Sequence, residues 1–477
     1  MNRSMPSTKS SSQDLLNYLK IHGPTLSSEL VSHFGISRPT LSRRVQALGN
    51  AVISIGNARA TQLAARHEDA SGSIPLYQVL ENGQVDPVGQ LTPIRSGTHT
   101  QWLLASKNQL PALCADAFKD GLYPGWPWFL EDLRPTGFLG RAFGKRMARL
   151  FQIKEKPEDW TDLELLTTLT GFGANLQGHF ILGDGRALDE FQALKIKIAE
   201  GDYANNTPAL SYLRFAQRAL SEDEEYGSSA GGEQPKFTTM ICDTPEQTPR
   251  AVIVKFSPQL PTPVGRRWAD LLQAEHIGNE VLREVGSQPA QTRTFQFGER
   301  AFLESERFDR VGPTGRRGLV SLRALDAAYI GQGSGSWADC ARKLHAEQWI
   351  SSADLERITQ LYCFGQLIAN TDMHFGNLSF FLPHEVPYPL APVYDMLPMR
   401  FRPSSTGEVI ERTFEPKLPK PEDQAAWLEM HPHALTFWQR ITQHPDISTN
   451  FKTIANDAIQ SLQRIHKVAG FFGPHQN

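Results

Sequence analysis

The sequence predicts an α+β molecule in three blocks: a small basic module of helices and a hairpin, a strand-bearing middle, and a helical C-terminal part. Three observations carry this expectation. Residues 1–66 hold eight Lys/Arg against two Asp/Glu, a balance of +6 that leaves −9 for the rest of a chain whose total is −3. The β-branched run Ala251-Val252-Ile253-Val254-Lys255 reads as a strand. After about Arg310 the apolar residues fall at helical spacing instead. A chain of 477 residues has room for two or three domains.

In the front module, residues 14–20 form a helix with Leu15, Leu16 and Leu19 inward, and residues 27–34 a second with Leu30 and Val31 inward. Gly35-Ile36-Ser37 turns the chain, and Ser37 caps a third helix over 38–48, where Pro39 is tolerated in the first turn. Residues 51–62 give two β-runs broken at Gly56-Asn57, a hairpin signal. Three helices and a hairpin make a winged helix-turn-helix, and a basic module on an acidic chain points to DNA phosphates. Arg38, Thr40, Ser42 and Arg43 would face the groove, while Arg44 and Arg59 would meet the backbone. A winged helix used only for protein contact is the plainer alternative.

Residues 67–95 read as a linker and 96–305 as a first lobe. Across that boundary, 88–104 reads as strand and turn; within the lobe, 126–149 reads as irregular and then helical, 162–169 as a helix and 178–182 as a strand. The cluster Arg141, Lys145, Arg146 and Arg149 reads as a solvated helix face, and Glu222-Asp223-Glu224-Glu225 as a solvated turn. In a last block, 306–477, helices are expected at 338–347, 353–368, 424–429, 432–441 and 454–468, with 331–336 a mobile loop.

The chemistry-bearing residues follow one another in a telling order. Asp372 and Asn377, within Asn370-Thr371-Asp372-Met373-His374-Phe375-Gly376-Asn377, have the D-x-x-x-x-N spacing of a kinase catalytic loop. There the Asp takes the proton of the attacking hydroxyl and the Asn holds magnesium. Asp395, after Val393-Tyr394, is placed as the second metal ligand. Upstream, Lys255 ends a strand and would neutralise ATP phosphates. The stretch Gly227-Ser228-Ser229-Ala230-Gly231-Gly232 lets backbone N–H groups approach phosphate oxygens. A helix over 268–285 carries Glu275 and Glu280, either able to pair with Lys255, and Glu280 is favoured. Residues 302–310 fit a hinge between lobes that contacts adenine through its backbone. Each piece has a bland counterpart: a lysine in water, a flexible loop, a solvated glutamate, a helix-capping aspartate. Their order is what phosphoryl transfer requires.

These residues resemble the HipA family of serine/threonine kinase toxins, and within it the YjjJ-type members that carry their own helix-turn-helix. The resemblance rests on Ser-x-Ala-Gly-Gly at 228–232, Ile-Val-Lys at 253–255, Glu-Arg-Phe-Asp-Arg at 306–310, the Asn370–Asn377 element and Tyr394-Asp395, and spans about residues 95–440. It implies a two-lobed, protein-kinase-like fold, with a β-rich extension of the N-lobe and a helical C-lobe. It implies an ATP- and Mg2+-dependent kinase with Asp372 as base, Asn377 and Asp395 as metal ligands and Lys255 on phosphate. Ala230, Gly231, Gly232, Glu233, Gln234 and Lys236 would line the phosphates with His374 close by, and Glu306, Arg307 and Phe308 would hold adenine. Ser228, or its neighbour Ser229, would be autophosphorylated; the added charge of about −2 would repel ATP. The family further implies a protein substrate such as an aminoacyl-tRNA synthetase, and a HipB-like antitoxin partner. Pro235 stiffens the loop and departs from the best-known pattern.

Other classes are disfavoured. No apolar run approaches a membrane span, and no signal peptide is visible. Four scattered cysteines without a Cys-x-x-Cys pair fit a reduced cytoplasm and speak against zinc. One rival is a nucleotide-sensing transcriptional regulator with an inactive kinase fold; intact Lys255, Asp372, Asn377 and Asp395 argue against it. A sugar-kinase-type repressor would need an early Asp-Gly-Gly-Thr loop and a cysteine-rich zinc loop, and the sequence has neither.

Overall fold

The computed structural model describes residues 11–56, 60–68, 72–106, 112–114, 118, 120–203, 205–224, 234–244, 246–404 and 406–471. The front module forms α1 (Ser12–His22), β1 (Thr25–Leu26), α2 (Ser27–Phe34), α3 (Arg38–Leu48), β2 (Val52–Ile55) and β3 (Gln62–Ala65). A capping box between Ser11 and Asp14 starts α1. Ser37 accepts from the Thr40 amide to start α3, and Gly35 ends α2 in the left-handed conformation, φ 57°. The strands pair antiparallel in the order β1-β3-β2. Leu15, Leu19, Leu30, Leu41, Val52 and Leu63 close the module's core. The helices lie where apolar spacing places them. The second hairpin strand begins at Gln62 rather than ending there, and β1, two residues long, is too short to show a pattern.

The expected linker at 67–95 is instead the centre of a sheet. β4 (Ile74–Val79) and β5 (Val85–Ser96) join β6 (His99–Ala105), β7 (Leu122–Tyr123) and β8 (Phe180–Leu182) in the antiparallel order β7-β6-β5-β4-β8. Pro75, Pro87 and Pro93 disguise these strands in the sequence. α4 (Gly137–Phe151), α5 (Asp162–Phe172) and α6 (Arg186–Ala199) accompany the sheet. The front module packs directly onto it: Ile55 and Ala64 meet Ile94 and Leu103. The Gly97 amide donates to Lys20 O at 2.8 Å and the His67 amide to Pro93 O at 3.0 Å.

Next come α7 (Pro208–Glu224), β9 (Lys236–Ile241), β10 (Arg250–Phe256), α8 (Pro263–Glu284), β11 (Thr292–Phe297) and β12 (Arg300–Glu306). Residues 222–224, expected as part of a solvated turn, are the last turn of α7; Glu225 lies outside the described residues. The strands form an antiparallel sheet in the order β11-β12-β10-β9. α7 covers one side through Tyr212 and Ala216, and α8 also packs on the sheet. A strand covered on both faces reads as a continuous apolar run, hence Ala251 to Val254.

The last part holds β13 (Arg310–Val311), β14 (Gly315–Arg316), β15 (Leu319–Ser321), α9 (Leu322–Leu325), α10 (Trp337–Ala346), α11 (Ser352–Leu367), β16 (Ser379–Phe381), α12 (Gln424–Gln443) and α13 (Thr449–Phe471). α12 runs unbroken through Pro432, where the sequence gives two helices. Buried Trp427, Met430, Phe437 and Trp438 pack it into the core around the end of α11 and hold it together despite the missing amide. In the loop at 331–336, the buried Asp326 carboxylate accepts from the Gln332 and Gly333 amides at 3.0 and 2.7 Å.

Candidate active site

Lys255 lies on β10, which packs against α8, and its side chain also reaches the segment that follows β16. Its side chain is buried, with Nζ 2.6 and 2.7 Å from the Glu275 oxygens and also bonded to Asp395 Oδ1. The partner is therefore Glu275, not Glu280. Glu275 is 2% exposed and lies on the buried stripe of α8 with Leu271, Leu272, Asn279 and Leu282. Glu280 is turned outward, 3.6 Å from His276, with 45% of its side chain exposed. Gly278 lets α8 come this close: a Cβ there would stand 2.7 Å from Met396 O, the carbonyl next after Asp395. Asp395 itself adopts φ 56°, a left-handed turn.

Two carboxylates share one ammonium. Burial works against the Lys255 charge, but Asp395 and Glu275 outweigh it and hold the ammonium above the usual lysine range. Burial pushes the Glu275 carboxyl up, more than Lys255 brings it down. Burial also acts to raise Asp395, yet Lys255 and Lys236 overcome it and keep that carboxyl low. Burial thus favours the neutral form of Glu275, whereas the two lysines favour the anionic form of Asp395. Lys236, opposite Lys255 in the β9–β10 register, adds positive charge.

The catalytic-loop residues are tied to Asp395 by Asn370. Its Nδ2 donates to Asp395 O at 3.0 Å, and its Oδ1 accepts from the Asp372 amide at 3.0 Å. Asn377 Nδ2 donates to Asp372 O at 2.8 Å, and its amide oxygen accepts no hydrogen bond among the described residues. Tyr394 OH donates to Gly376 O at 3.0 Å. His374 caps the turn, its Nδ1 accepting from the Gly376 amide at 3.0 Å. An amide oxygen and a carboxylate are the hard oxygen donors that Mg2+ takes alongside substrate phosphates, so the residues fit that ion. Beside Asp372 opens a groove of about 390 Å3, walled by Gly333–Gly335, Tyr362 and Gln366.

At the hinge, both the backbone amide and the side chain of Arg307 are engaged within the protein. Its guanidinium is buried and bonded to Asp309 at 2.8 and 3.0 Å and to Leu176 O at 3.2 Å, so it staples the hinge to the middle block. Its amide donates to Ala251 O, and that of Glu306 to Gln291 O. No hydrogen bond engages the Phe308 amide among the described residues, and the Phe308 ring faces Tyr394 at 5.8 Å. Gln234 and Lys236 border the site's sheet, with Gln234 Nε2 buried and without a partner among the described residues. Ser228, Ser229, Ala230, Gly231, Gly232 and Glu233 lie outside the described residues, as does Arg59.

In the front module, Arg38, Ser42 and Arg43 are exposed along α3. Thr40 serves the cap with Ser37, and Arg44 lies near enough to Asp14 to lower its carboxyl, behind the stronger bonds from Ser11. Sequence reasoning named Glu275 but favoured Glu280, and gave no link to Asn370 or Gly278. The stripe Leu271-Leu272-Glu275 at helical spacing was the available signal for the first; close backbone approach leaves no such trace.

The fold and this constellation belong to a HipA-like protein: residues 228–468 match the family of HipA-like C-terminal domains, and residues 70–192 match the middle domain of YjjJ-like toxins. The chain is 35% identical over 463 residues to Toxin YjjJ of Escherichia coli (strain K12), covering 96% of this chain and 99% of that one. The chain belongs to the YjjJ-like toxins of the HipA-like family. Among solved structures, HipA in a complex with HipB and operator DNA from Shewanella oneidensis MR-1 aligns at TM-score 0.49 and 16% identity, covering 83% of this chain and 99% of that one. The Helicobacter pylori proinflammatory kinase CtkA aligns at TM-score 0.37 and 15% identity, covering 52% and 96%. Both likenesses are too loose to carry the assignment, which rests on the sequence matches. No helix among the described residues is long and apolar enough to cross a membrane.

Proposed function

We propose that this chain is an ATP-dependent serine/threonine protein kinase fused to a DNA-binding winged helix. The observation that supports the reading is the linked set of Lys255, Glu275 and Asp395 with Asn370, Asp372 and Asn377. Phosphoryl transfer asks mainly for positioning and charge stabilisation. Lys255, oriented by Glu275, neutralises phosphate charge. Asp372 orients the acceptor hydroxyl and takes its proton. Asn377 and Asp395 would hold Mg2+, which when bound offsets charge on the transferred phosphoryl group. The Phe308 amide and Glu306 carbonyl are the hinge groups for adenine. The acceptor is a protein, such as an aminoacyl-tRNA synthetase, and Ser228 is an internal acceptor.

The three helices and three-stranded sheet at the front are read as a winged helix. Arg38, Ser42 and Arg43 present its positive face to DNA, for control of the chain's own promoter. The HipB named beside the Shewanella HipA makes an antitoxin partner part of the same reading. Phosphopeptide mass spectrometry of cells expressing the wild type or Asp372→Ala is the test. New phosphoserine or phosphothreonine sites should appear only with the wild type; identical phosphoproteomes would contradict the reading.

A further inference from the structure

We propose a second binding site, for a small oxyanion, at the seam between the middle sheet and the HipA-like half. A cleft of about 520 Å3 opens there, with Val79 and Phe180 on one wall and Phe381 and Leu382 on the other. Two buried polar atoms on its lining residues have no partner among the described residues: Arg316 Nη1 and His179 Nε2. Arg316 is 2% exposed; its Nη2 donates to Ala174 O at 2.5 Å and its guanidinium lies 4.6 Å from the Phe191 ring, so its orientation is fixed. Gly318 gives the imidazole room, since a Cβ there would stand 3.0 Å from Nε2 and 2.7 Å from Cε1.

The local charge points to an anion. Arg307, Arg310 and Arg316 surround one carboxylate, Asp309, which is engaged by Arg307 at 2.8 Å and Arg310 at 2.6 Å. The carbonyls of Ala174, Leu176 and Gly178 accept hydrogen bonds from these guanidinium groups but bring no formal charge. Arg317, at the mouth, is neutralised by Glu81 at 3.0 Å. An oxyanion bonded to Arg316 Nη1 and His179 supplies both the missing acceptor and the missing charge. Burial, then Arg316 and Arg310, bring the imidazole down to about 3, so it meets the ligand as a neutral donor. The apolar walls take the rest of a phosphorylated or carboxylated small molecule.

The test uses the full chain with its nucleotide site filled by Mg2+ and a non-hydrolysable ATP analogue. Melting temperature is followed against sodium phosphate and, separately, citrate, at ionic strength matched with chloride. A saturable rise is expected in at least one arm: phosphate alone assigns a phosphorylated ligand, citrate alone a carboxylated one. Arg316→Gln and His179→Phe should each weaken it about tenfold or more. Leu382→Trp, which fills the cleft and leaves both donors in place, should abolish it and keeps the test valid if a polar variant fails to fold. No saturable shift in either arm, or a shift that survives Leu382→Trp unchanged, would overturn the site.

Discussion

At the scale of single residues, the account depends on which groups meet Lys255. Glu275→Gln should lower the phosphorylation rate about 100-fold by releasing the lysine, whereas Glu280→Gln should leave it unchanged; steady-state rates with labelled ATP compare them. Equal rates for Glu275→Gln and wild type would remove Glu275 from the site. A second prediction concerns pH. Burial and its arginine neighbours hold His179 at about 3 in the fold, against 6.5 unperturbed. The unfolded chain therefore binds the proton first, so the stability contribution is complete above 6.5 and is lost progressively as pH falls toward 3. Urea midpoints should fall less steeply with acidification in His179→Phe than in the wild type. That Lys255, Asp372, Asn377 and Asp395 fall in one neighbourhood was legible in the sequence from their order and spacing. The choice between Glu275 and Glu280 was not, because both fall on one predicted helix, and only the phase of its buried stripe separates them.

Among elements, α8 and the hinge decide how the site is assembled. Gly278→Val puts a side chain against Met396 O and should push α8 from the Asp395 segment, destabilising by about 1–3 kcal/mol and slowing phosphoryl transfer together. Chemical denaturation and rate measurement on the same protein check both. Arg307→Ala should act differently. It removes one partner of buried Asp309 and costs about 3 kcal/mol of stability, but leaves the KM for ATP near wild type, because the side chain serves the staple to Leu176. A raised KM at unchanged stability would return Arg307 to the nucleotide. The long helices and the Lys255 strand were readable from apolar spacing. β4 and the start of β5 were not, since they fall in the stretch read as linker, and the continuity of α12 past Pro432 depends on tertiary packing that no local pattern contains.

Over the whole molecule, the front module is a packed neighbour of the middle sheet. Ile55 and Ala64 lie against Ile94 and Leu103, and Lys20 pairs with Glu68 at 2.5 Å. Removing residues 1–66 should therefore abolish DNA binding and also lower the melting temperature of what remains, by uncovering Ile94 and Leu103; gel shift and calorimetry measure the two. Charge asymmetry showed that this module differs from the rest, but not that it is docked, because a packing seam between blocks has no periodicity of its own. The site likewise draws on separate blocks: a lysine from the sheet, a glutamate from α8, and the Asp372, Asn377 and Asp395 groups from the helical part. The most direct measurement is phosphate transfer by purified protein from labelled ATP and Mg2+. Wild type should label itself, and Asp372→Ala should bind the nucleotide with similar affinity yet label itself no more than background. Equal labelling by the two proteins would contradict the assignment of Asp372, and no labelling by either would contradict the kinase reading.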